Sequence, residues 1–306
     1  MIEKIKPILQ LGRLHFLAGG FFLYTMGVLL AIIQGAEFSI TFFIFGYSIM
    51  LPAHLSVSLS NNYFDTEVDK FNKPVFIAGG TKILIEKPEL KNLCKRIAIF
   101  LIILSISISF VFTFMYSFPI SYLGFIIFGN LLGWFYTAPP VKLTYRGLGE
   151  IANMITMGFL IPGIGYWTIN GNLNTFFFIF SIAFVLYGLN FMIIVETPDI
   201  EGDKKVNKKT LVTKIGLKNS YKIRIISLIF ASLYFLILSY QKIYDNNINY
   251  GIIFVLSLIP LTIAIIGWIK KPFTKNFSIK NSQYNIYTFI LYIFLINVYF
   301  ISITYL

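Results

Sequence analysis

Asn61-Asn62-Tyr63-Phe64-Asp65-Thr66-Glu67-Val68-Asp69 and Asp199-Ile200-Glu201-Gly202-Asp203 are acidic segments in a chain that is otherwise mostly apolar. Most of the carboxylates fall at or near these two places. Ionisable groups beside a bilayer are costly, and they mark a site by default. On helices, Asn61, Asp65 and Asp69 (i, i+4, i+8) project from one face, as do Asp199 and Asp203 (i, i+4). Two facing clusters of oxygen ligands suit a hard divalent cation such as Mg²⁺, which binds through a few carboxylates together with substrate phosphates. The spacing predicts a metal-dependent diphosphate site inside a membrane protein.

The rest of the chain supplies the membrane. It is 57% hydrophobic and 12% charged, with a mean hydropathy of +0.77. Crossing a hydrocarbon core of about 30 Å takes about 20 residues. Nine apolar stretches meet that length, near 15–35, 38–60, 96–116, 118–138, 149–169, 174–196, 220–240, 249–269 and 286–306. The fold expected is an all-α bundle of nine transmembrane helices. Ser117-Phe118-Pro119 joins two of them so tightly that they must form a hairpin. The 38–60 stretch is diluted by Pro52, His54 and several serines. The first stretch lacks a small-residue cleavage site and is followed by further spans, unlike a cleavable signal peptide.

Charge sets the orientation. With nine spans, 24 of the 25 Lys and Arg residues fall on one side and only Lys242 on the other. The positive-inside rule places that side, with the N-terminus and both acidic segments, in the cytoplasm. The net charge of +12 then follows from topology and contact with anionic membrane lipids, and no nucleic-acid motif accompanies it. Cys94 is the sole cysteine, which excludes an intrachain disulfide and a thiolate metal cluster. His15 and His54 lack ligand spacing and read as interior hydrogen-bonding groups.

The chain looks duplicated, a single domain with halves of about 1–145 and 146–306. Each acidic segment follows the second span of a pair, about 135 residues from its counterpart, and lysines trail each one (Lys70 and Lys73; Lys204 and Lys205). The loops at 70–95 and 204–219 are each long enough for a short amphipathic helix capping a central cavity.

The first segment resembles the N-D-x-x-D-x-x-x-D signature of the UbiA-type intramembrane prenyltransferases. The second, followed by Lys204 and by Lys209-Thr210-Leu211, resembles their second signature. Tyr136-Thr137-Ala138-Pro139-Pro140-Val141-Lys142-Leu143 is similar to the segment these enzymes carry between the two. The resemblance spans nearly the whole chain. It implies transfer of an isoprenyl group from a polyprenyl diphosphate to an aromatic or lipid acceptor, with two or more Mg²⁺ ions held by Asn61, Asp65, Asp69, Asp199 and Asp203. The usual second aspartate of the first signature is Asn62 here, which points about 100° away from the ligand face.

Around these motifs, Lys142, Arg146 and Tyr136 flank the site and are candidates for diphosphate contact, with Thr137 beside them; anchoring at the headgroups is the alternative for the two cations. Lys204 matches a basic position of the family. Arg13 opens the first span, either near the cavity or as a snorkelling anchor. Glu196, one turn before Asp199, either adds a ligand, contacts the acceptor, or is solvated at the helix end. Asn190 and Asn130 are polar groups within spans, where they either bond helices together or touch substrate. Gly79-Gly80-Thr81 reads as a turn. Phe, Tyr and Trp make up 18% of the residues, and Tyr63, Phe64 and Tyr187 neighbour the motif faces. Tyr145-Arg146-Gly147-Leu148-Gly149-Glu150 and Glu196-Thr197-Pro198-Asp199 resemble the branch that prenylates dihydroxynaphthoate in menaquinone synthesis. Relatives that use glycerol lipids or tetrapyrroles, or that cyclise a prenyl diphosphate without an acceptor, share the metal motifs. A transporter holding ions at the aspartates is a further class, although both motifs lie on one side of the membrane.

Overall fold

The computed structural model describes residues 2–71, 81–241, 248–270 and 275–305, and among these all regular structure is helical. The expected spans each have a helical counterpart. Helix α1 (Ile2–Leu11) precedes α2 (His15–Ile33) and α3 (Ile40–Phe64), and α4 (Thr66–Asp69) carries the end of the first acidic segment. Short α5 (Ile83–Glu86) leads to the hairpin of α6 (Lys91–Met115) and α7 (Ile120–Phe135), with Ser117 at its tip in the left-handed region (φ 53°). Then come α8 (Gly149–Ile155), α9 (Ile161–Asn170), α10 (Thr175–Glu196), α11 (Ile200–Lys205), α12 (Leu211–Gln241), α13 (Tyr250–Ile269) and α14 (Lys275–Tyr305). Seven helical runs among the described residues are long and apolar enough to cross a membrane, and α7 is a shorter apolar helix.

The expected 149–169 span is one helical path broken by a π-turn at Thr156–Leu160. Pro162, in the first turn of α9, lacks an N–H for the helical ladder, and the wider turn absorbs that break. By contrast, Pro52, His54 and the serines do not interrupt α3. Ser56 and Ser60 donate to the carbonyls of Ala53 and Val57, so their hydroxyls are satisfied within the helix. Ser39, Asn174 and Asn249 cap α3, α10 and α13 by accepting from amides of the first turn.

Close helix packing rests on glycine. A Cβ at Gly27 of α2 would lie 1.9 Å from the Pro162 carbonyl, and one at Gly165 of α9 would lie 2.2 Å from the Tyr24 carbonyl. Backbones approach this closely where small residues line the crossing. Helix α3 packs along α6, α10 along α12, and α14 returns against α2.

The polar segments cover one end of the bundle. Leu11 of α1, Leu84 of α5 and Leu90 form a satellite core with Leu59 of α3 and Cys94 of α6. The expectation of a short helix in 70–95 is met by α5, while Lys73, Gly79 and Gly80 lie outside the described residues. In 204–219, α12 is kinked at Gly216 (φ 76°), which separates its first turn from the span. Lys242 and the His15 side chain also lie outside the described residues.

Candidate active site

Both acidic segments emerge where a spanning helix ends. Asp65 is the C-cap of α3, and α4 places Asp69 one turn further. At the other helix, α10 ends at Glu196, a short turn spans Thr197–Asp199, and α11 carries Asp203. Asn61, Asp65, Asp69, Glu196, Asp199 and Asp203 all line one cavity of about 310 Å³. Deeper in, its wall is apolar and aromatic, with Phe125, Met157, Phe191 and Phe289. The π-turn faces it through Thr156, Met157 and Leu160.

The two motifs are joined by a lysine. Lys208 Nζ donates to Asp65 Oδ2 at 3.0 Å and lies 3.8 Å from Asp203 Oδ1. Burial works against its charge, yet Asp65 and Asp203 beside it hold Lys208 well above the usual lysine range. The other Asp65 oxygen, Oδ1, accepts from the Tyr145 hydroxyl at 2.6 Å. Thr137 donates to Asn61 Oδ1 at 2.9 Å. Asp69 is buried and its carboxyl is pushed up to about 7, by desolvation first and by the Asp65 charge next, against the pull of Arg13. Arg13 sits in the left-handed break between α1 and α2 (φ 48°) and lines the cavity.

This donor set fits a hard cation. Asp199 Oδ1 and Asp203 Oδ1 are buried oxygens without a hydrogen-bond partner, and a lysine ammonium already sits between the motifs. Among the described residues, no three acidic, histidine or cysteine side chains are gathered closely enough to hold an ion unaided. Mg²⁺ takes one or two carboxylates and completes its shell with water and substrate phosphates.

Several residues expected at the site are placed elsewhere. Thr137 is fully buried behind Asn61 and acts through it. Lys142, Arg146 and Lys204 are exposed and do not line the cavity. Lys142 adopts a left-handed backbone (φ 49°), and its ammonium lies 5.2 Å from the Tyr145 ring centre. Arg146 donates to the Pro140 carbonyl. Lys204 directly follows Asp203 on α11, so it points about 100° away from it. Asn190 is buried off the cavity wall, and its Oδ1 has no hydrogen-bond partner. Tyr136 does line the cavity, with its hydroxyl 3.5 Å from Met192 Sδ.

Among the flanking groups, Asn62 is buried and donates to the Leu11 and Ser58 carbonyls while accepting from Thr81. Tyr63 faces Lys91 and Lys95, Phe64 packs on Trp134, and Tyr187 lies in the core against Phe289 and Tyr292. Asn130 lines the cavity and donates to Ser105, linking α7 to α6. The reading of His54 as an interior hydrogen-bonding group is not met at one ring nitrogen: His54 borders the cavity, and its Nδ1 is buried without a partner.

Sequence reasoning missed Lys208, Tyr145 and Glu150 as structural parts of the site. Lys208 reaches Asp65 because the chain reverses after α11: Asn207 is left-handed (φ 55°) and the Lys208 amide donates back to the Asp203 carbonyl. No helical spacing reveals such a return. Buried Glu150, whose Oε1 accepts from the Leu211 amide, acts on Glu196 across the cavity end.

The sequence profile of the UbiA prenyltransferase family matches residues 21–286. The chain belongs to this family. Among UbiA relatives, a digeranylgeranylglyceryl phosphate synthase from Saccharolobus solfataricus is 26% identical over 281 residues, 86% of each chain. UbiA prenyltransferase domain-containing protein 1 from Dictyostelium discoideum is 28% identical over 156 residues, 51% of this chain and 46% of that protein. A probable chloroplastic homogentisate phytyltransferase 2 from Oryza sativa subsp. japonica is 29% identical over 166 residues, 52% of this chain and 41% of that protein. The chain thus spans less than half the length of these last two. A UbiA homologue from Archaeoglobus fulgidus, solved with GPP and Mg²⁺, shares the fold at a TM-score of 0.63 and 16% identity, over 94% of this chain and 99% of that one.

Proposed function

We propose that this protein is a Mg²⁺-dependent membrane prenyltransferase. In this reading it moves an isoprenyl group from a polyprenyl diphosphate to a hydroxylated aromatic acceptor, a quinone precursor, and releases diphosphate. The observation that carries the reading is the meeting of Asp65, Asp69, Asp199, Asp203 and Lys208 at the polar end of an otherwise apolar cavity. The whole chain acts as one domain, and each half contributes one acidic motif. The one-sided distribution of Lys and Arg supports a cytoplasmic N-terminus with both motifs on that side.

Asn61, Asp65 and Asp69 from one motif and Asp199 and Asp203 from the other would hold the metal. When bound, Mg²⁺ neutralises the diphosphate and makes it a better leaving group. Arg13 and Lys208 on the wall offer further cations to the diphosphate oxygens, and Lys142, outside the cavity lining, stands over Tyr145. The bond between the isoprenyl carbon and oxygen breaks, and its electron pair leaves with the diphosphate. Phe125, Phe191 and Phe289 line the space for the chain, keep water from the allylic cation and present π faces to it. A carbon or oxygen of the acceptor then forms the new bond and gives up a proton. Glu196 is placed to receive that proton: it is buried and lines the cavity beside Glu150.

The resemblance of the 145–150 and 196–199 stretches to the dihydroxynaphthoate branch supports an aromatic acceptor. A glycerol-phosphate lipid acceptor is the second reading, favoured by the near-full-length match to digeranylgeranylglyceryl phosphate synthase. The test is diphosphate release by purified protein with Mg²⁺ and geranylgeranyl diphosphate, alone and with a panel of both acceptor kinds. Release that needs Asp65 and an aromatic acceptor is expected. Release only with glycerol-phosphate acceptors selects the second reading. Asp65-dependent release without acceptor, yielding a cyclic product, makes the protein a cyclase, and no release under any condition refutes the enzyme.

A further inference from the structure

Lys208 occupies a position that contact with diphosphate alone does not account for. Its ammonium lies between the two motifs, 3.0 Å from Asp65 Oδ2 and 3.8 Å from Asp203 Oδ1, where their carboxylates would otherwise face each other uncompensated. The side chain is only 12% exposed. It springs from the reversal between α11 and α12, outside any helix, and its four-carbon stem has several rotatable bonds. Bringing two buried carboxylates together without a cation is strongly unfavourable. Lys208 and Arg13 both act on Asp69 and Asp199, and Lys208 in addition joins Asp65 to Asp203.

We propose that Lys208 is a built-in counter-ion of the metal-free site, bridging the first acidic motif to the second and yielding both carboxylates when Mg²⁺ binds. The proposal rests on the reading of these aspartates as Mg²⁺ ligands. On loading, the Lys208 ammonium leaves Asp65 and Asp203 and turns to the substrate's diphosphate. Its charge therefore has opposite effects on the two ligands. It competes with Mg²⁺ in the absence of substrate and aids diphosphate once metal is present. A lysine that only held phosphate would leave the binding of Mg²⁺ alone unchanged. One that only held the fold would lower stability equally with and without metal.

The experiment measures binding of Mg²⁺ alone to the full chain in detergent, by calorimetry and by thermal melting, for wild type, Lys208→Met and Lys208→Arg. Lys208→Met is expected to bind Mg²⁺ about tenfold more tightly, because the displaced charged hydrogen bond is gone. It should melt below wild type in chelator and gain more from saturating Mg²⁺ than wild type does. With Mg²⁺ present, it should bind geranylgeranyl thiolodiphosphate, an unreactive substrate analogue, more weakly than wild type. Lys208→Arg, which keeps the charge, should stay near wild type for Mg²⁺. If Lys208→Met purifies only with Mg²⁺, stripping the metal should collapse it while wild type survives. Equal or weaker Mg²⁺ binding by Lys208→Met, or tighter binding by Lys208→Arg, overturns the counter-ion role. Wild type that binds no Mg²⁺, with or without the analogue, overturns the metal reading on which the role rests.

Discussion

Replacing Tyr145 by Phe removes one hydroxyl and leaves the ring that lies 5.2 Å below Lys142 and 5.4 Å below Lys208. That hydroxyl donates to Asp65 Oδ1 at 2.6 Å, the length of a hydrogen bond to an ionised oxygen. Burial and the Asp65 charge both raise the Tyr145 phenol, so it stays a protonated donor through the neutral range. Hydrogen bonds to charged groups contribute about 1.5–3 kcal/mol. The Asp65 side chain is 15% exposed, and water partly replaces the lost donor, so the lower end of that range, about 1.5 kcal/mol, applies. This energy goes into holding Asp65 in place for the metal, and it corresponds to about a tenfold change in affinity. Diphosphate release titrated with Mg²⁺ should show a half-saturating concentration raised about tenfold in Tyr145→Phe, with a rate at saturating Mg²⁺ within about twofold of wild type. A rate loss that excess Mg²⁺ does not restore would mean that the hydroxyl acts on substrate and not through Asp65. An unchanged Mg²⁺ titration would refute the positioning role altogether.

Other tests follow from the same geometry. The Asp69 carboxyl, raised to about 7, must lose its proton to bind metal. Release at limiting Mg²⁺ should therefore fall as pH drops through about 7 and recover with surplus Mg²⁺; a pH profile insensitive to Mg²⁺ would contradict this. The same raised value means that the folded, metal-free protein holds this proton more tightly than the unfolded chain does. Its melting temperature in chelator should thus decline as pH rises from 3.8 to about 7. Lys142→Ala removes an exposed cation over the Tyr145 ring, outside the cavity lining, and should raise KM for the prenyl diphosphate about fivefold, an exposed ion pair contributing up to ~1 kcal/mol. Steady-state kinetics that move kcat and leave KM unchanged would place Lys142 elsewhere in the reaction. Gly165→Val forces a Cβ into the Tyr24 carbonyl and should lower the melting temperature by at least ~3 °C, whereas an unaltered melt would show that α2 and α9 separate without cost.

The spans were legible because hydrocarbon imposes one requirement on a run of residues, apolarity over a fixed length, which composition alone reports. The expected 174–196 and 249–269 stretches coincide with Thr175–Glu196 and Tyr250–Ile269 to within a residue. The 149–169 stretch was legible as apolar but not as broken, since the π-turn reflects a compromise between Pro162 and packing that no hydropathy window registers. Helix α1 went unread because its partner surface, Leu59 and Cys94, comes from other helices.

The aspartates of the site were legible because i, i+4 spacing carries information about a shared face. Lys142 and Arg146 were chosen because they flank the motifs and Lys204 because it matches a basic position of the family, and neither ground determines side-chain direction. Lys204 follows Asp203 by one residue and faces outward, while Lys208 follows by five and reaches Asp65. Sequence by itself determined that this chain is a helical membrane protein with two acidic motifs at helix ends, because those facts depend on local spacing and composition. Only the tertiary structure decided which cation lies between the motifs and which hydroxyls hold Asp65 and Asn61. Those contacts join Asp65 to Tyr145 and Lys208, and Asn61 to Thr137, residues whose separation in the chain bears no relation to the few ångströms between them.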